Sequence, residues 1–106
     1  MRIGAYTIKG RIVQQPGENL RRLIDYDRWL EEGEVITSVA TSIDNATSPP
    51  LAVTNIVIDP DGNRIAYYIS GGADGEDYTV TFSVTTSVNQ TREDELLVGV
   101  REVLRG

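Results

Sequence analysis

Cysteine and histidine are both absent from the 106 residues. The first absence excludes disulfides, thiolate metal sites and cysteine nucleophiles. The second removes the commonest general base and the commonest transition-metal ligand. Lys9 is the only lysine, and it lies in the N-terminal segment, so Ser–Lys chemistry has no fixed base. No apolar run approaches the length of a bilayer-spanning helix and no signal-type apolar segment follows Met1, so no membrane partner is expected. No motif calls for a cofactor, and none is expected. What remains is a chain of single-domain length, long enough to bury one core without staples.

Charge is present but uneven. Residues 1–17 hold Arg2, Lys9 and Arg11 and no acid; residues 18–106 hold seven arginines and all 16 acids. A +3 segment therefore precedes a −9 body. The net charge of −6 argues against a nucleic-acid partner, because phosphate contacts need a basic face.

Hydrophobic periodicity gives the fold class. Over 78–88, Tyr78, Val80, Phe82, Val84 and Val88 share one parity, and Thr79, Thr81, Ser83, Thr85 and Ser87 the other, with Thr86 the one lapse on the apolar side. Alternation of this kind is a strand with one dry face and one hydroxyl face. Further strands are predicted over 20–26, 34–43 (Val35, Val39 and Ile43 sharing a parity), 51–59, 64–70 and 92–104 (Leu96, Val98 and Val100 sharing a parity). Pro16-Gly17, Asp44–Pro50, Pro60–Asn63, Gly71–Asp77 and Asn89–Thr91 supply turns. One helical turn is expected over 27–33, capped by Asp27 and ended by Gly33. Short strands with almost no helix predict an all-β protein: an antiparallel β-sandwich of 18–106 behind an extended basic arm of 1–17. Tyr78, after a Gly-rich turn at the start of a long penultimate strand, is a candidate tyrosine corner, which makes the sandwich immunoglobulin-like in architecture.

The motifs weigh against catalysis. Asp59–Asn63 resembles a calcium loop only in part: its glycine is fourth rather than sixth, and Ser70 stands where the twelfth-position glutamate belongs. A hairpin turn is the simpler reading. Asp74, Glu76 and Asp77 read as a solvated acidic loop. Asn45-Ala46-Thr47 and Asn89-Gln90-Thr91 match the glycosylation pattern but fall in predicted turns. Asp25 with Asp27, and Glu93 with Glu95, share strand parities without a cleft to face across. Trp29, the one tryptophan, is expected to plug one end of the sandwich. The arm is richer in β-branched and apolar residues than a solvated tail needs. Arg2, Ile3, Tyr6, Ile8, Lys9, Arg11 and Ile12 are therefore candidate assembly contacts, able to add a strand to a neighbouring sheet and drawn to an acidic body.

Two sets of blocks carry a family resemblance. Leu23–Leu30 with Gly33-Glu34 and Ile36–Ser38, and Ile69–Gly72 with Gly75, Tyr78–Val80 and Val84–Ser87, resemble small tailed-bacteriophage virion proteins of the fiber–tail adaptor type, over roughly residues 23–100. The resemblance implies an immunoglobulin-like, non-enzymatic structural protein of the virion, assembled in the bacterial host cytoplasm. It would be a homo-oligomer at the neck or tail, linking fibers or adjacent rings to the head–tail machinery. Its implied partners are other virion proteins: portal, neck, tail, fiber or capsid. A capsid-surface decoration protein and a receptor- or carbohydrate-binding module stand as alternative functions.

Overall fold

A computed structural model describes residues 9–102. Seven strands form two sheets: β1 Lys9–Gln14, β2 Asn19–Asp25, β3 Ile36–Ile43, β4 Leu51–Ile58, β5 Arg64–Gly71, β6 Asp77–Thr86 and β7 Thr91–Val100. One sheet has the order β1-β7-β6-β3 and the other β2-β5-β4. Among the described residues there is no helix. The chain is all-β with two stacked sheets, a β-sandwich. Lettered A to G in chain order, the sheets are AGFC and BED. The constant-type immunoglobulin sandwich is ABED and CFG, so the difference lies in the first strand.

That strand corrects one expectation. β1 pairs with β7 in parallel, from Lys9↔Glu95 to Gln14↔Val100, so the first sheet is mixed rather than purely antiparallel. Residues 9–14 of the expected arm are thus a strand of the chain's own sheet, and residues 1–8 lie outside the described residues. Gln14 is what holds the strand in. Its buried amide donates to the carbonyls of Ile69 at 2.7 Å and Glu18 at 3.1 Å, and its carbonyl oxygen accepts from Arg22 at 3.2 Å. A buried amide with every group satisfied ties the two sheets together.

The core is the inward parity of the three central strands. Ile65, Tyr67 and Ile69 of β5 face Val80, Phe82 and Val84 of β6 and Val98 and Val100 of β7, all essentially out of solvent. The rings of Tyr67 and Phe82 meet at 4.8 Å between centroids. Burying each side chain of this size contributes about 1.5–3 kcal/mol.

Two irregularities re-aim side chains. A bulge between Ile36 and Ser38 changes the parity of β3, so Ile36 is buried and Val35 is exposed, against the expected Val35–Val39–Ile43 stripe. In β4 the register shifts between Thr54 and Val57, where Asn55 has φ 52°. Ile56 and Ile58 then pack on the core and Val57 turns outward.

Strand ends also differ from expectation. β6 stops at Thr86, and Val88 is exposed in the following turn. Thr86 is no lapse: it is buried at 1% exposure, with its hydroxyl donating to Glu34. β7 ends at Val100 rather than Leu104, and residues 103–106 lie outside the described residues. In the turn after β2, Leu30 N–H donates to the Tyr26 carbonyl at 3.0 Å. The cap is Asp25, whose Oδ1 accepts Asp27 N–H at 2.8 Å, while Asp27 itself receives Asn63 Nδ2.

Candidate assembly surfaces

Three loops converge at one end of the sandwich. Tyr26 N–H donates to Asn63 O, Ile36 N–H to Gly62 O and Ser87 N–H to Val35 O, each at 2.8 Å. Segments 26–35, 59–63 and 87–90 are thereby stitched together. Gly62 makes this fit: its φ is +75°, and a Cβ there would lie 2.6 Å from Val35 Cβ. Asp59 shapes the same turn, accepting Asp61 N–H through Oδ1 and pairing with Arg64 at 3.3 Å through Oδ2. Its carboxylate is thus committed to the hairpin.

Beneath these loops lies a buried polar cluster. Arg92 Nε donates to Asp94 Oδ1 at 2.8 Å, with both side chains at most 5% exposed. The Arg92 guanidinium lies 5.1 Å from the Trp29 ring centroid. Trp29 is itself buried, edge-on to Tyr26 at 6.0 Å. Burial, then the nearby carboxylate of Asp94, push the Tyr26 hydroxyl pKa well above its ordinary value. Beside them Thr86 Oγ1 donates to Glu34 Oε2 at 2.5 Å, and Glu34 Oε1 accepts Glu31 N–H at 2.9 Å. Of these residues the sequence singled out Trp29 as a plug, and Thr86 only as a lapse in the apolar parity. Parity was the available signal, since Arg92 and Asp94 share theirs with Leu96, Val98 and Val100.

The opposite end carries the acidic loop. The Tyr78 hydroxyl accepts Ala73 N–H at 2.8 Å and contacts Thr47 Oγ1 at 2.7 Å. Thr47 Oγ1 donates its proton to Pro49 O, so Tyr78 is the donor to Thr47. The buried ring thus ties loop 72–76 to loop 44–50. The acids here are internally engaged: Asp77 pairs with Arg101 at 2.8 Å, Asp74 Oδ1 accepts Glu102 N–H, and Glu76 Oε1 accepts Asn45 Nδ2. Asn45 and Asn89 both have positive φ, 71° and 63°, a turn role that accounts for the asparagine in each sequon-like triplet. Among the described residues no group of three or more acids is placed to hold a metal ion.

Two outer faces remain. On the four-stranded sheet, Ser38, Ala40 and Ser42 of β3 and the Thr79–Thr85 hydroxyls of β6 form a carpet of short side chains, flanked on β7 by Thr91, Glu93, Glu95 and Leu97. On the three-stranded sheet, register aligns Leu23, Ala66 and Val57 in one row. Leu23 is 54% and Val57 58% exposed, an apolar row beside Arg21 and Tyr68.

The expected assembly residues divide. Arg2, Ile3, Tyr6 and Ile8 lie outside the described residues. Lys9, Arg11 and Ile12 lie on β1; Ile12 packs on the core and Arg11 is exposed.

Residues 14–99 match the family described as "Podophage GP4 fiber-tail adaptor protein gp77". That span takes in β2 to β6, most of β7 and only the last residue of β1. The comparison with curated proteins returns no match.

Proposed function

The chain belongs to the podophage fiber-tail adaptor family, and from that premise we propose that it is a non-enzymatic adaptor of the virion. It joins tail fibers, or an adjacent ring, to the head–tail machinery at the neck or tail. The observation that carries this reading is the family match across nearly the whole sandwich. The structure supports it in kind. The buried pairs Arg92–Asp94 and Thr86–Glu34 are turned into the fold, and what the surface offers is sheet edges, a hydroxyl-rich face and one apolar row, features that meet protein.

On this reading the sandwich is immunoglobulin-like, Tyr78 is its tyrosine corner and Trp29 plugs the end where the three loops meet. Arg2, Ile3, Tyr6 and Ile8, with Lys9, Arg11 and Ile12 of β1, serve contacts between copies in a homo-oligomer assembled in the host cytoplasm. The acidic body keeps it off nucleic acid. The apolar row Leu23–Ala66–Val57 is the docking face for another virion protein, since an exposed row of this kind is removed from water only by a partner.

Particles made without this chain test the reading. Heads and tails should assemble, fibers should be missing, and added protein should restore them. Normal fiber attachment in its absence would overturn the role.

A further inference from the structure

Among the described residues, each sheet ends in two strands that pair on one side only, and such edges invite pairing with another chain unless guarded. Two of the four are guarded, and β1 bears one charge among its described side chains, Arg11. β2 carries Arg21, Arg22 and Asp25. β4 is bracketed by Pro50 and Pro60 and broken by the bulge at Asn55. β3 differs: from Ser38 to Ile43 it reads Ser-Val-Ala-Thr-Ser-Ile, with no charge, no proline and a regular register against β6. Its one bulge lies before that stretch.

We propose that this edge of β3 receives the β1 edge of a second copy, joining the four-stranded sheets head to tail. Three observations select that occupant. First, β1 and β3 are the opposite edges of one sheet, so each copy has one donor and one acceptor edge. Contacts of this heterologous kind close into a ring when the rotation permits. Second, the strands run the same way: β1 is parallel to β7, β7 antiparallel to β6, and β6 antiparallel to β3. A rotation about an axis along the strands therefore brings β1 beside β3 without inverting either copy. Third, the levels match in charge. Arg11 is in register with Leu97, and Leu97 with Thr79. Thr79 exchanges hydrogen bonds with Asp44, through Asp44 N–H at 3.1 Å and Asp44 Oδ1 at 2.6 Å. Arg11 and Asp44 thus stand at one level on opposite edges, both exposed. Joining two copies without a shift sets the arginine of one beside the aspartate of the next. Pairing β1 with β1 would oppose like charges instead.

The proposal rests on the adaptor reading only for its setting, and it is tested apart from it. The chain has no cysteine, so the double variant Arg11→Cys, Asp44→Cys carries the only two thiols. Within one copy they are three strand spacings apart, about 14 Å, too far for a disulfide. Oxidation of the concentrated full-length double variant should give a ladder extending past the dimer, while either single variant stops at dimer. Amide exchange on the unsubstituted chain supplies a second readout: the β3 amides of Ser38–Ile43 should gain protection as concentration rises. A double variant that stops at dimer, the mark of β3–β3 pairing, or β3 amides indifferent to concentration would overturn the proposal. Fiber attachment by the unsubstituted chain reports the adaptor role independently.

Discussion

Arg92 and Asp94, two residues apart on β7, point into the sandwich together and hold each other at 2.8 Å almost out of solvent. Strand alternation forces this, because both share the inward parity of Val98 and Val100. A buried pair adds little over an apolar replacement, but one partner left alone is costly. Asp94→Leu should therefore lose about 3–5 kcal/mol, and the double change Arg92→Leu, Asp94→Leu should recover most of it. Urea unfolding followed by the fluorescence of Trp29, the single tryptophan beside Arg92, measures both. Equal losses in the single and double variants would contradict this view.

Thr86 and Glu34 make a second internal tie. Thr86→Val keeps the shape and removes the hydroxyl that donates to Glu34 Oε2. The expected cost is about 1–3 kcal/mol, that of a buried polar group left short of a partner. Thermal melting of the variant against the parent chain measures it.

Tyr78→Phe should act locally as well as globally. It deletes the oxygen that accepts Ala73 N–H and donates to Thr47. A loss of about 1–3 kcal/mol is expected. Amide exchange should speed up in 72–76 and 44–50 while the end near Trp29 is unchanged.

Tyr26 gives a signed pH dependence. Its folded pKa is raised above the ordinary value of 10.0, first by burial and then by Asp94. Above pH 10 the unfolded chain therefore releases a proton that the folded chain retains. Stability is full below that pH and falls as pH rises beyond it. Tyr26→Phe should flatten that alkaline decline, leaving the smaller slope due to Tyr67, which burial also raises. Urea midpoints at pH 9 and above provide the check.

Gly62→Ala should cost about 1–3 kcal/mol, the range for a strained backbone position. Its φ is +75° and the new methyl would press on Val35. The urea midpoint should fall with its slope unchanged.

The alternating strands were legible because each buries one face: Tyr78–Val84 and Ile65–Ile69 stand where parity placed them. What parity could not carry is any residue inserted against it. The bulge after Ile36 and the positive-φ Asn55 each flip the faces that follow, and neither leaves a mark in the alternation. The parallel pairing of β1 was hidden for another reason. It joins the first and last of the described strands, far apart in sequence, and what secures it is Gln14, a polar residue whose amide looks like surface until Ile69 and Arg22 are brought to it. The polar cluster under Trp29 was half legible, its residues being in phase with the core but of a chemistry that sequence reading assigns to solvent.

On the proposed function, this sandwich sits where fibers meet the tail. Electron cryomicroscopy of intact particles tests it most directly. The expected result is density for the seven-strand sandwich at the fiber–tail junction, in copies related by the symmetry axis of the tail. Density on the capsid lattice instead, or none anywhere on the particle, would contradict it.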